Sequence, residues 1–187
     1  MTRLYTPLQL THLDVAPAAP AAGVAVFAQS GRLLCSVDGA VGVPLMPGML
    51  ALGADVGGSS SGATVTGLAL PVQAGTYTLR YAATYTATNT TTGIKVQLTG
   101  PAASDTAVVI QRWTSATACV VTRLEAFGTW SATTGASGGA TARPLFIDAT
   151  ITFTAGGTLN LLVGASNANT ATLKAGSYLT SWWLTIS

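Results

Sequence analysis

Glu125 is the only glutamate in this chain of 187 residues, and Lys95 and Lys174 are the only lysines. A helix needs strong polar helix formers on its wet face, and those residues are almost absent, so helical bundles and coiled coils are excluded. Alanine, threonine and glycine take their place with 32, 30 and 21 residues. Threonine is β-branched, favours strands and covers a wet face without charge. The hydrophobic fraction of 49% is too high for a disordered chain. The net charge of +2 rests on 8 basic and 6 acidic residues, too few to build a basic nucleic-acid face, so no nucleic-acid partner is expected. No apolar run reaches the roughly 18 residues of a membrane helix, and Met1 to Leu10 lacks the apolar core of a signal peptide, so no membrane is expected either.

Charge at 7% also bears on association, because a solitary domain usually carries about 25% charged residues. A lone copy of this chain would expose much neutral and apolar surface. The expectation is that other subunits cover it.

The length suits one domain with appendages. Residues 1–22 contain Pro7, Pro17 and Pro20 and end in a Pro-Ala run that favours extended polyproline conformation. Leu4, Tyr5, Leu8 and Leu10 precede it, as an apolar peptide before a stiff spacer would. The segment reads as an anchoring arm that orders on a partner, with a frayed terminus as the other reading. Residues 23–62 read as a small β-hairpin or meander followed by a Gly/Ser connector. Val24, Val26 and Ala28 alternate, Leu33, Cys35 and Val37 alternate after the Gln29-Ser30-Gly31 turn, and Asp38-Gly39 turns again. Residues 63–187 read as about eight antiparallel strands without helical period. Strands are expected at 64–70, 75–87, 94–99, 107–113, 118–130, about 145–154, about 159–163 and 177–187. Tyr77, Leu79, Tyr81, Ala83 and Tyr85 share one face of the second strand, and threonines fill the other. The expected fold class is all-β: an antiparallel β-sandwich or jelly roll behind an extended arm and a small meander.

The residues that carry chemistry are sparse. His12, the only histidine, lies in the arm. Gly58-Ser59-Ser60-Ser61-Gly62 and Gly135-Ala136-Ser137-Gly138-Gly139 match the Gly-x-Ser-x-Gly spacing, but neither precedes a helix as a nucleophile elbow does. Glu125 and Asp148 sit within strands as a carboxylate pair would; pairing of either with Arg80, Arg123 or Arg143 is the simpler reading. Cys35 and Cys119 read as two reduced, buried thiols, with a disulfide as the other reading. Asn89-Thr90-Thr91 is a glycosylation sequon, idle without secretion. Trp113, Trp130, Trp182 and Trp183 suit core and subunit packing, or a sugar-stacking platform. The expectation is therefore no catalytic residue, no metal site and no cofactor.

Two stretches carry a resemblance. Pro17 to Leu34, followed by Asp38-Gly39 and Pro44-Leu45, resembles the N-terminal segment of many tailed-bacteriophage structural proteins. Thr92 to Pro101, taken with Lys174 to Leu179, resembles the C-terminal β-module of phage virion proteins, similar in shape to the trimeric jelly rolls of the C1q and tumour-necrosis-factor class. The resemblance implies a non-enzymatic virion protein of head-decoration, head-fibre or tail-fibre type, assembled in the bacterial cytoplasm. Its expected partners are itself, as a homotrimer, and major capsid or tail proteins. Leu4, Tyr5, Leu8 and Leu10 are the expected anchors, and Tyr81, Tyr85, Trp182 and Trp183 the expected oligomer contacts. The alternative is a carbohydrate-binding module for host adsorption with a host surface glycan as partner. A surface hydrolase using Glu125 and Asp148 ranks third.

Overall fold

A computed structural model describes residues 24–29, 32–37, 40–44, 48–88, 93–124, 126–132, 141–166 and 169–185, with side chains from residue 49 onward except those of Trp183 and Thr185. The arm and its anchors Leu4, Tyr5, Leu8 and Leu10 lie outside the described residues. The chain divides into two units after Met46. In the first, β1 (Val24–Gln29), β2 (Arg32–Val37) and β3 (Ala40–Pro44) form an antiparallel sheet in chain order, with Val26 opposite Cys35. Alternation and turn signals placed all three.

The second unit is an antiparallel β-sandwich. Its strands are β4 (Gly48–Ala51), β5 (Val56–Gly58), β6 (Ala63–Thr64), β7 (Leu70–Val72), β8 (Gly75–Ala87), β9 (Ile94–Thr99), β10 (Ala103–Trp113), β11 (Cys119–Leu124), β12 (Arg143–Phe153), β13 (Gly157–Ala165), β14 (Ala171–Leu173) and β15 (Tyr178–Thr185). Eight of them make the large sheet. Its spine is β11-β10-β12-β8, after which it forks: β15 then β4 continue from the first half of β8, and β14 then β5 from its end. The small sheet centres on β13, with β9 along one edge and β6 and β7 along the other.

One hydrophobic core fills the space between the sheets. The large sheet contributes Tyr77, Leu79, Tyr81 and Tyr85 from β8, Val108 and Ile110 from β10, and Leu145, Ile147, Ile151 and Phe153 from β12. Val96, Leu98, Leu159, Leu161 and Val163 answer from the small sheet. Strict period-two alternation, apolar inward and threonine outward, fixes this register, since a slip of one residue would reverse every side chain.

Four differences from the sequence reading have physical causes. Residues 46–62 are not a connector: β4 pairs with β15 and β5 with β14, so two very short strands gain stability from pairing partners far along the chain. Residues 64–70 are not one strand. Val65, Leu68, Leu70 and Val72 all point inward, which regular alternation forbids, and a 3-10 turn at Thr66–Leu68 re-phases the chain between β6 and β7. Residues 118–130 are not one strand either. β11 stops at Leu124, and residues 126–132 cross to the small sheet, where Gly128 N–H donates to Leu98 O at 3.1 Å and Ser131 N–H to Val96 O at 2.9 Å. Gly128, at φ 82°, supplies the backbone conformation that the crossing needs. Finally, the described residues of the second unit form twelve strands rather than about eight, because residues 64–70 hold the pair β6 and β7, the Gly-rich stretch supplies β4 and β5, and β14 was not read from the sequence.

Arg112 holds the crossing in place. Its position on β10 has the parity of Val108 and Ile110, so it points inward and is 1% exposed. Its Nη1 donates to Ile94 O at 2.8 Å and Ala132 O at 2.6 Å, and its Nη2 donates to Thr122 Oγ1 at 2.8 Å. One side chain thus ties β10, β9, β11 and the crossing segment together. Burial pushes its guanidinium pKa down, opposed by the nearby Tyr85 phenol.

Candidate interaction face

The face of the large sheet turned away from the core is built from the other half of each alternation. Cross-strand register sets it out in rows. One row runs Arg123, Val109, Asp148, Arg80, Thr180, Met49 across β11, β10, β12, β8, β15 and β4. The next runs Val121, Gln111, Phe146, Ala82, Tyr178, Ala51 on the same strands. A third runs Ala107, Thr150, Thr78, Trp182. On the two middle strands Arg80, Asp148 and Phe146 alternate with the small Ala82, Thr78 and Thr150.

The exposed large apolar side chains among the described residues are Met49, Val109, Val121, Tyr178, Trp182 and Leu184. Met49, Val109, Val121, Tyr178 and Trp182 all fall on this outer face by register, and Leu184 sits at the register shift on β15 beside it. Met49 is 67% exposed, Val121 63% and Trp182 40%. They form two groups, Val109 and Val121 on β10 and β11 and Met49, Tyr178 and Trp182 on β4 and β15, with β12 and β8 between them, and their gathering on one face of one sheet suits an interaction surface.

Charge at the centre of the face is confined to one pair. Arg80 Nε and Asp148 Oδ1 stand 3.6 Å apart with both side chains about half exposed, so the pair contributes about 0–1 kcal/mol. Arg80 also lies over the Phe146 ring, 5.6 Å from its centroid, and Phe146 meets Trp113 edge to face at 5.7 Å. Beside them is a notch of about 350 Å³ whose floor is Ala82 and whose walls include Phe146, Pro144, Gly176 and Tyr178. The β14–β15 turn that forms its rim is held by Asp55, which accepts a hydrogen bond from Ala175 N–H at 2.8 Å and pairs with Lys174. These two contacts pull the Asp55 carboxyl below the usual carboxylate range, Lys174 most strongly.

Of the expected oligomer contacts, Trp182 lies on this face. Tyr81 and Tyr85 do not: both are buried in the core, Tyr85 Oη donating to Trp113 O at 2.9 Å, so neither side chain is open to another copy. The alternation put them on one face correctly, but that face is the one the small sheet covers. The side chain of Trp183 lies outside the described residues. Met49, Val109 and Val121 went unnoticed in the sequence. Their signal was the parity of strands whose extent was misjudged.

Several other sequence candidates lie among the described residues. Gly58-Ser59-Ser60-Ser61-Gly62 forms a turn after β5. A Cβ on Gly58 would meet Val163 O at 1.9 Å, and Gly62 has φ 83° beneath the Trp130 ring. Lys95 lies over that ring, 4.4 Å from its centroid, and donates to Ser60 O at 2.6 Å. The glycines of this motif therefore serve close packing. Residues 135–139, the sequon at 89–91, His12 and Glu125 lie outside the described residues. Asp148 faces Arg80, one of the three arginines expected for it. Cys119 is not buried as expected. It points outward from the edge strand β11 as a free thiol, while the Cys35 side chain lies outside the described residues. Among the described residues, no three His, Cys, Asp or Glu side chains gather as a metal site would require.

Comparison of the chain with protein-family models, with curated proteins and with solved structures finds no match.

Proposed function

We propose that the chain is a non-enzymatic structural component of a tailed-phage particle, anchored on capsid or tail through its N-terminal residues and assembled with copies of itself through the sandwich. The observation that carries this reading is the gathering of exposed apolar side chains onto one face of the large sheet. That face is broad, its rows hold three charged residues, Arg123, Asp148 and Arg80, and its exposed apolar side chains suit packing against protein and would be a liability if left in water. The Pro-Ala lead and the turn pattern of residues 17–45 supply the phage part of the reading. The mechanism is assembly by buried apolar area, with the arm adding avidity. Deleting residues 1–22 tests it. The truncated chain is expected to remain a folded oligomer and to lose co-sedimentation with particles. Unchanged particle binding refutes the anchoring role, and a monomeric full-length chain refutes the assembly role.

A second reading rests on Tyr178 and Trp182, both exposed on one face of β15, as stacking groups for a host glycan. Glycan binding that Trp182→Ala abolishes without changing the oligomer would favour it.

A further inference from the structure

We propose that the outer face of the large sheet is closed by a second copy of the same chain, related by a two-fold axis that runs along the strands between β8 and β12. This inference rests on the self-assembly reading above and fixes its geometry.

Size is the first argument. The rows span six strands, β11 to β4. At about 4.8 Å per strand and about 3.3 Å per residue over some eight residues, the face covers roughly 750 Å². A stable interface takes about 800 Å² from each partner. The face is large enough for one whole copy, and an aligned sheet-on-sheet packing buries it in a single contact.

Charge complementarity fixes the axis. Arg80 and Asp148 are cross-strand neighbours on β8 and β12. A two-fold axis along the strands exchanges the two sides of the row. Arg80 then meets the partner's Asp148, and Asp148 meets the partner's Arg80. An axis across the strands would instead set β8 on the partner's β8 and Arg80 against the partner's Arg80, a like-charge contact. A three-fold ring is heterologous and cannot close a face upon itself, so the two-fold arrangement replaces the trimer expected from the sequence.

Shape agrees with the same axis. In the next row the partly buried Phe146 on β12 stands beside the small Ala82 on β8, and both line the notch. The exchange sets Phe146 opposite the partner's Ala82, large against small. Thr78 meets the partner's Thr150, small against small. On the flank, Trp182 falls over the small side chains of the partner's β10, near the partner's Ala107. Sheet twist rotates aligned sheets by about 30°, so the contacts of β8 and β12 nearest the axis are the ones this geometry fixes.

The test uses two full-length variants, Arg80→Asp and Asp148→Arg. Both side chains are half exposed, so the fold tolerates either change, and circular dichroism checks this. Wild type is expected to sediment at twice 18.7 kDa. Each variant alone brings like charges together across the axis and is expected at 18.7 kDa. A one-to-one mixture is expected to return to the doubled mass, because the acidic face of one variant matches the basic face of the other. Repair by mixing cannot arise from the ion pair within one copy. Thr150→Lys, at an exposed site on the same face, is expected to dissociate the dimer without a charge partner. An oligomer unmoved by all three variants overturns this face while leaving self-assembly standing. A three-fold mass, or variants that do not reassemble on mixing, overturns the two-fold register. A wild-type monomer overturns both this inference and the assembly role.

Discussion

Arg112→Met removes the guanidinium and keeps most of the stem that packs among β9, β10 and β11. Three acceptors are then left behind. Ile94 O is buried, and an unsatisfied buried carbonyl costs about 1–3 kcal/mol. Ala132 O and Thr122 Oγ1 are only partly buried, so water recovers part of each bond, and each loss costs about 0.5–1.5 kcal/mol. Against this, the variant no longer buries a guanidinium whose Nε finds no partner among the described residues. That relief is partial, because the three bonds to the charged group already compensate most of its desolvation. The balance is a loss of about 2–4 kcal/mol, or a midpoint lower by about 5–15 °C for a chain of this size. Thermal unfolding followed by circular dichroism reads the loss. Hydrogen exchange shows its location, since residues 126–132 should lose protection before β8 and β12 do. Arg112→Lys should lose nearly as much, because one ammonium cannot reach acceptors on three segments. If Arg112→Met melts at or above the wild-type temperature, the guanidinium burdens the core, and its role as the pin of the crossing segment is wrong.

Two further changes probe the interior and the rim of the face. Tyr81 is fully buried and its hydroxyl meets no hydrogen-bond partner among the described residues, so Tyr81→Phe should raise stability by about 1–2 kcal/mol in urea unfolding; a loss of that size would mean that the hydroxyl is satisfied. The Asp55 carboxyl has a lowered pKa in the fold, so its contribution is present above its unfolded value near about 3.9 and is lost as pH falls through the lower folded value. Protection of residues 174–176 should therefore fall on acidification in wild type, and in Asp55→Asn it should already be low at neutral pH and lose its acid dependence; a wild-type profile in that variant would show that the Asp55 carboxylate does not hold the turn.

The strands of the second unit were legible wherever alternation ran long. The thirteen residues of β8 and the eleven of β12 declared both their extent and their two faces. What alternation does not declare is which face a second layer will cover when one is aromatic and the other is threonine and alanine. Tyr81 and Tyr85 were expected to meet another copy, whereas their aromatic bulk is taken up by the core between the two sheets. Short strands were illegible because nothing local makes them: β4 and β5 exist only through β15 and β14, more than a hundred residues away. The 3-10 turn was in principle visible, since the spacing of Val65, Leu68 and Leu70 breaks period two. Arg112 announced its burial by parity with Val108 and Ile110, and its charge hid it. Of the exposed apolar residues on the face, only Trp182 was expected from the sequence as an oligomer contact. Met49 sat in a stretch read as a connector, and Val121 in a strand whose partners were unknown.

Oxidative footprinting of Met49 and Trp182 across a dilution series tests most directly whether another copy covers this face. The account predicts that both side chains are protected at high protein concentration and become reactive together as the complex dissociates. Equal reactivity of both at every concentration, in a chain that remains folded throughout, would contradict it.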